Sequence, residues 1–219
     1  MKLVSFTIFV ALLIAVGVND RRALGSDEAQ PPANAILTQW RSADPATQAA
    51  ILDLARNAVD AYVDRHQVIE VPTDLPPVLR QRAAVFVSAQ INGAPVCCMG
   101  TLYPMEADAA HEIVTNADAA AGRDLRFPPI QHSQLARMRI IVSVLGPPVS
   151  ITVAQAQHLD PRTDGLVARC RGRCGVVLSG ETAKLDRMIR WARIRAGAAD
   201  GDEVEYFRID DVRFIEAAR

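Results

Sequence analysis

Aromatic residues make up only 5% of this 219-residue chain. They are dispersed, so the sequence offers no platform on which nucleic-acid bases would stack. The fingerprints of phosphate and dinucleotide binding are missing as well: neither the phosphate loop nor Gly-x-Gly-x-x-Gly occurs. Ser179 stands in "VVLSGE", without the flanking glycines of the serine-hydrolase elbow. The stretch "HEIVT", residues 111–115, opens like a zinc-protease helix, but Thr115 occupies the place of the second histidine. His66, His111, His132 and His158 are scattered with no ligand spacing. No metal site and no cofactor is therefore expected. Acids are plentiful, yet no pair stands out as a glycosidase couple.

Charge is balanced, with 24 Lys and Arg against 25 Asp and Glu and a net charge of -1. No basic cluster stands out, which argues against nucleic-acid binding, since that needs a basic face toward the phosphates. Half the chain is hydrophobic and 22% is charged, enough for a substantial core.

The one long apolar run is at the start. In "MKLVSFTIFVALLIAVGVNDRRALGS" a lysine precedes an apolar stretch from Leu3 to Val18, and Ala23-Leu24-Gly25 makes a small-x-small cleavage site. That is the architecture of a signal peptide. As a helix the run would span roughly 24 Å, short of the about 30 Å of bilayer hydrocarbon. Residues 1–25 are thus expected to be a signal peptide and the protein to be exported to a periplasmic or extracellular space. The alternative, an N-terminal membrane anchor, is kept open by Asp20-Arg21-Arg22 between run and site. No later segment is long and apolar enough to span a membrane once the signal is removed. Residues 26–43, with Pro31-Pro32, read as a flexible leader, and residues 44–219 as one folded body.

Within that body, Asp44-Pro45 is an N-cap followed by proline at the first helical position. Ile51, Leu52, Leu54, Ala55, Ala58, Val59, Tyr62 and Val63 then recur at three- and four-residue spacing. After the proline-rich "VPTDLPPVL", two β-rich runs flank Asn92-Gly93, the pair preferred by type I′ hairpin turns. The alanine-rich residues 105–122 read as a helix with Gly122 as its C-cap. A strand follows in "RMRIIVSVLGPP", then a hairpin turning at Gly172, a helix in "TAKLDRMIRWARIRAG", and strand material in "DEVEYFRIDDVRFIEA". Helices and hairpins interleave without regular β-α alternation, so the fold class is α+β, with antiparallel sheet and flanking helices.

Four cysteines carry the remaining chemistry, and outside the cytosol they could pair. Cys170 and Cys174 flank Arg171-Gly172-Arg173. A three-residue loop would set them opposite each other, within the span of a disulfide. Cys97 and Cys98 are strand neighbours whose side chains point to opposite faces. For Cys98 three readings stand: a small buried hydrophobe, a reactive thiol, or a bridge to Cys170 or Cys174. "GRDLRFPP" sets Arg123, Asp124 and Arg126 just after a helix end. There the two arginines could hold a carboxylate or phosphate, or instead offset the helix dipole and pair with Asp124. Asn116, earlier in the same helix, caps or lines the same place.

Several segments together resemble the AMMECR family, the protein A component of bacterial AmmeMemoRadiSam systems, over most of residues 50–200. The strongest anchor is "NADAAAGRDLRFPPI", residues 116–130. "IIVSVLGPP", "DGLVARCRGRCGVVLSGE" and "WARIRAG" follow in the family's order. The family's Leu-Arg-Gly-Cys-Ile-Gly signature reads here Pro95, Val96, Cys97, Cys98, Met99, Gly100, with the arginine replaced and Cys98 and Gly100 kept. The resemblance implies a mixed α+β body with a smaller subdomain, and it suggests Memo-like or radical-SAM proteins as partners. The functional expectation is a non-catalytic binding or accessory protein for a small ligand or protein partner, with a cleft near residues 95–102 and 116–127. The alternatives are an enzyme using Cys98 as thiol nucleophile and, against the charge balance, a nucleic-acid-binding protein.

Overall fold

The computed structural model describes residues 33–217; the expected signal peptide, residues 1–25, lies outside them. In chain order the elements begin with α1 (Ala33–Arg41), α2 (Pro45–Arg65), a short 3-10 turn at Pro77–Arg80, β1 (Ala84–Ile91), β2 (Ala94–Gly100) and α3 (Ala109–Gly122). They continue with α4 (His132–Leu135), β3 (Arg139–Leu145), β4 (Val149–Ile151), α5 (Val153–Ala156), β5 (Gly165–Cys170) and β6 (Arg173–Val177). Helix α6 (Leu185–Arg195) and strands β7 (Glu205–Ile209) and β8 (Asp211–Ile215) are the last elements among the described residues. The strands form two antiparallel four-stranded sheets, ordered β2-β1-β3-β8 and β4-β7-β5-β6. The fold is α+β, as expected. Among the described residues no helix is long and apolar enough to cross a membrane.

Alternation along the strands decides the layers. Val85, Val87 and Ala89 of β1 join Ile140, Val142 and Val144 of β3 on one face of the first sheet, where they pack against Ile51, Leu54 and Val59 of α2 and Ile113 and Ala117 of α3. The opposite face carries Ala84, Phe86 and Leu145. It meets Val167, Leu178, Ile209 and Phe207 from the second sheet and its loops. The far side of the second sheet is covered by α6 through Met188 and Ala192. One sheet is therefore sandwiched between helices and the other sheet, and the seam between the sheets receives one face of the β1–β2 hairpin.

The helix ends follow the sequence signals. Asp44 accepts from the Thr47 amide at 2.7 Å, with Pro45 at the first helical position, and His66 closes α2 in the left-handed region at φ 52°. Asp108 caps α3 by accepting from the His111 amide at 2.9 Å. Gly122, expected as a C-cap, is instead the last helical residue, and a Cβ there would lie 2.0 Å from the Tyr62 ring. It is glycine because α2 and α3 approach closely at that point.

Two expectations need correction. Part of the predicted leader is structured: residues 33–41 form α1, and Leu37 and Trp40 are each only 1% exposed, with Trp40 set 6.3 Å from the Phe214 ring. The sequence carries no start signal behind the proline pair, and this helix declares itself only by burying two large side chains. The second correction concerns Cys170 and Cys174. The β5–β6 turn has two residues, Arg171 and Gly172, both with positive φ, so Cys170 stands opposite Arg173 and Cys174 opposite Arg169. One residue of register puts the two thiols on opposite faces of the sheet, Cys170 against α6 and Cys174 toward the seam. They do not bridge, and all four cysteines are free.

Candidate functional site

The β1–β2 hairpin turns at Asn92 (φ 51°) and Gly93 (φ 78°), the paired left-handed conformation of a type I′ turn. Past the turn the register slips: Ala89 faces Cys97, but Gln90 faces Pro95, so Val96 is an extra, bulged residue. Val96 and Cys97 both reach the helix-side core, and Cys97 is 1% exposed there. Cys98, opposite Ser88, points the other way into the seam between the sheets. The two adjacent thiols thus occupy different environments, as strand geometry requires.

Strand β2 is an edge strand, and at a non-hydrogen-bonded pair its N–H and C=O face outward with no ladder partner. Asp124 and Arg126 supply that partner. The Cys98 amide donates to Asp124 Oδ2 at 2.8 Å, and Arg126 Nη2 donates to the Cys98 carbonyl. Within the pair, Arg126 donates Nε to Asp124 Oδ1 at 2.7 Å and Nη2 to Oδ2 at 2.8 Å, while its own amide reaches Oδ1 at 3.2 Å. Asp124 is almost wholly withdrawn from water, with 3% of its side chain exposed. The bidentate pair reads both backbone groups of one residue and closes the sheet edge as a further strand would. The Arg126 guanidinium is held still more firmly protonated by Asp124.

Of the remaining residues singled out from the sequence, Arg123 pairs with Asp118 at 3.0 Å and leaves most of its side chain in solvent. Asn116 is buried in mid-helix, donating Nδ2 to the Val85 carbonyl at 3.2 Å and to Glu112 Oε1 at 3.3 Å. The structure therefore brings Cys98, Asp124 and Arg126 together and engages Asn116 and Arg123 separately. Sequence reasoning passed over Glu112, which is 1% exposed and accepts from Thr101 Oγ1 at 2.5 Å and from the Met105 and Glu106 amides at 2.9 Å each. It ties the loop after β2 to α3. The signal was present in "HEIVTN", a glutamate four residues before Asn116 on one helix face.

Across the seam, Cys98 lies within electrostatic reach of Glu181 and Arg195, which pair with each other at 2.8 Å. Nothing in the sequence connects positions so far apart. Burial pushes the Cys98 thiol up to about 11, with Glu181 adding to the shift and Arg126 and Arg195 opposing it. Burial likewise pushes Cys97 up to about 12, with Cys98 and Asp124 adding to it. Both are thiols rather than thiolates near neutral pH. On the outer side of the Asp124–Arg126 clasp lies a hollow of 110 Å³, lined by Val96, Ala120, Ala121, Phe127 and Pro128, with Leu125 on its margin 71% exposed.

Comparison with known proteins places these residues in a family. A family model described as AMMECR1 matches residues 52–211. A protein of Thermotoga maritima is 32% identical over 165 residues, covering 73% of this chain and 94% of that one. A protein of Thermofilum pendens is 30% identical over 170 residues, covering 69% and 79%. The crystal structure of the uncharacterised protein PH0010 from Pyrococcus horikoshii superposes with a TM-score of 0.72 at 23% identity, covering 80% of this chain and 94% of that one, and so shares the fold. With the model covering residues 52–211, the chain belongs to the AMMECR1 family.

Proposed function

We propose that this chain is a non-catalytic binding protein that serves an accessory role, and that it recognises a partner protein where β2 meets the end of α3. The observation that carries this reading is the commitment of the local chemistry to structure: Asp124 and Arg126 are both engaged with the backbone of Cys98. Neither is left to clamp a substrate. The Cys98 thiol, pushed up to about 11, is a poor nucleophile near neutral pH. The adjoining hollow, at 110 Å³, is well below the roughly 300–1,000 Å³ of small-molecule sites. It has room for one apolar side chain, and exposed Leu125 beside it adds the apolar contact a protein partner would cover. Memo-like and radical-SAM proteins are the partners to try first, by family resemblance, and export through residues 1–25 belongs to the same reading.

Alkylation of each cysteine in the native protein across pH, mapped on peptides, tests this. Cys98 is expected to label about a hundredfold or more below a free thiol at neutral pH, as its thiolate fraction dictates, and to speed up only in alkali. Cys98→Ala should leave partner binding intact. Fast labelling near neutral pH, with loss of function on that substitution, would support the second reading, an enzyme using Cys98. Arg126 and Arg195, the two cations that favour its thiolate, are the observation behind that alternative.

A further inference from the structure

We infer that the second sheet carries a separate binding site for a small organic carboxylate, a monoanion with a short branched aliphatic tail. It would occupy the cavity at the open end of the paired strands β5 and β7. This site lies apart from the β2–α3 face and does not depend on the partner-binding reading. The cavity measures 540 Å³, within the roughly 300–1,000 Å³ typical of small-molecule sites. Its walls bring together Arg169, Arg171, Arg193, Tyr206, Val153 and Val204.

Three arginines and three acids line it, but only two of the arginines are held in ion pairs. Arg169 stands opposite Glu205 in the ladder and binds it through Nε–Oε2 at 2.6 Å and Nη2–Oε1 at 3.0 Å. Arg171 pairs with Asp202, which is itself fixed by the Ala199 amide at 2.8 Å. Arg193 is different: among the described residues it takes part in no ion pair. It donates Nη2 to the Ala199 carbonyl at 2.8 Å and Nη1 to the Tyr206 hydroxyl at 3.4 Å, and both bonds fix its position. A guanidinium has five donor hydrogens, so Arg193 keeps several unspent. Tyr206 is 6% exposed, so its hydroxyl anchors the guanidinium to the edge of the core while Arg193 lines the cavity.

The same walls define the ligand class. With as many acids as arginines in the lining, a dianionic phosphate would meet more repulsion than a monoanion, whereas a single carboxylate can take two of the unspent donors of Arg193 at once. Val153, 61% exposed, and half-buried Val204 are the apolar surface that an aliphatic tail would cover. Glu203, also in the lining, is exposed to solvent and screened.

The test is a titration of the full chain with 3-methylbutanoate, followed by the arginine Nε–Hε and backbone amide resonances. The proposal expects a saturable shift confined to Arg193, Tyr206 and their neighbours. Arg193→Gln should weaken it by about tenfold or more, the loss typical of one charge-assisted contact. Arg193→Lys, which keeps the charge and guards against a folding artefact, should weaken it by an intermediate factor. Arg190→Gln, an exposed change on the same helix, should leave it alone. The alcohol 3-methylbutanol and inorganic phosphate should not saturate the site. A shift that grows linearly without saturation, that the alcohol reproduces, or that survives Arg193→Gln would overturn the proposal.

Discussion

Replacing Asp124 by alanine removes the acceptor of four hydrogen bonds at once: from the Cys98 amide, from Arg126 Nε and Nη2, and from the Arg126 amide. A buried donor left without an acceptor costs about 1–3 kcal/mol. Breaking a buried ion pair from one side costs about 3–5 kcal/mol. These do not simply add, and Arg126 keeps 34% of its side chain in solvent, so water will partly repair its loss. The expected net cost is about 2–4 kcal/mol. In urea, with a slope of about 1–3 kcal/mol per molar, that moves the midpoint down by about 1–2 M with the slope unchanged. Asp124→Asn keeps an acceptor for the Cys98 amide and should cost about 1–2 kcal/mol, close to one charge-assisted bond. The double variant Asp124→Ala with Arg126→Met should recover part of the single loss, because it leaves no orphaned cation. An unfolding free energy unchanged within about 0.5 kcal/mol for Asp124→Ala, or strict additivity in the cycle with Arg126→Met, would refute the view that this pair closes the edge of β2.

Four further outcomes are expected. Trp40→Ala, which empties a fully buried site beside Phe214, should cost about 3–5 kcal/mol in denaturant unfolding; a near-zero cost would return residues 33–41 to the role of a leader. Gly122→Ala should destabilise by more than about 1 kcal/mol by driving Tyr62 away from the α2–α3 contact, and Tyr62→Ala should relieve most of that clash. Unfolded without reductant, the oxidised-buffer protein should titrate four thiols per chain, whereas two would mean that Cys170 and Cys174 pair after all. The hydrogen bond and charge of Asp64 raise the His132 pKa above its ordinary value. The stability from that pair is thus fully present below the ordinary histidine pKa and is lost as pH rises through the raised one. Asp64→Asn should return the His132 NMR titration toward the ordinary value, and an unmoved titration would show that the pair does not form in solution.

The sequence by itself determined the elements with strong local signals. Asp44-Pro45 opened α2, Asn92-Gly93 set the first hairpin, and alternation along β1 chose its buried face, because caps, turn conformations and side-chain periodicity act over a few residues. It also brought Cys98, Asp124 and Arg126 into view as candidates, through the residues that carry the family resemblance. What those residues do was decided by tertiary structure. Asp124 turns to the backbone of Cys98 rather than to a ligand because an edge strand leaves that amide and carbonyl unpaired, and no local rule reveals which strand will be an edge. Cys170 and Cys174 part company over a single residue of hairpin register, which a loop of two rather than three residues fixes. Gly122 answers to Tyr62, and Cys98 to Glu181 and Arg195, across separations in sequence that only packing brings together. Helix α1 lacked a legible cap and is held by two large side chains that find their partners on β8 and the first sheet, a contact made only once the sheet exists.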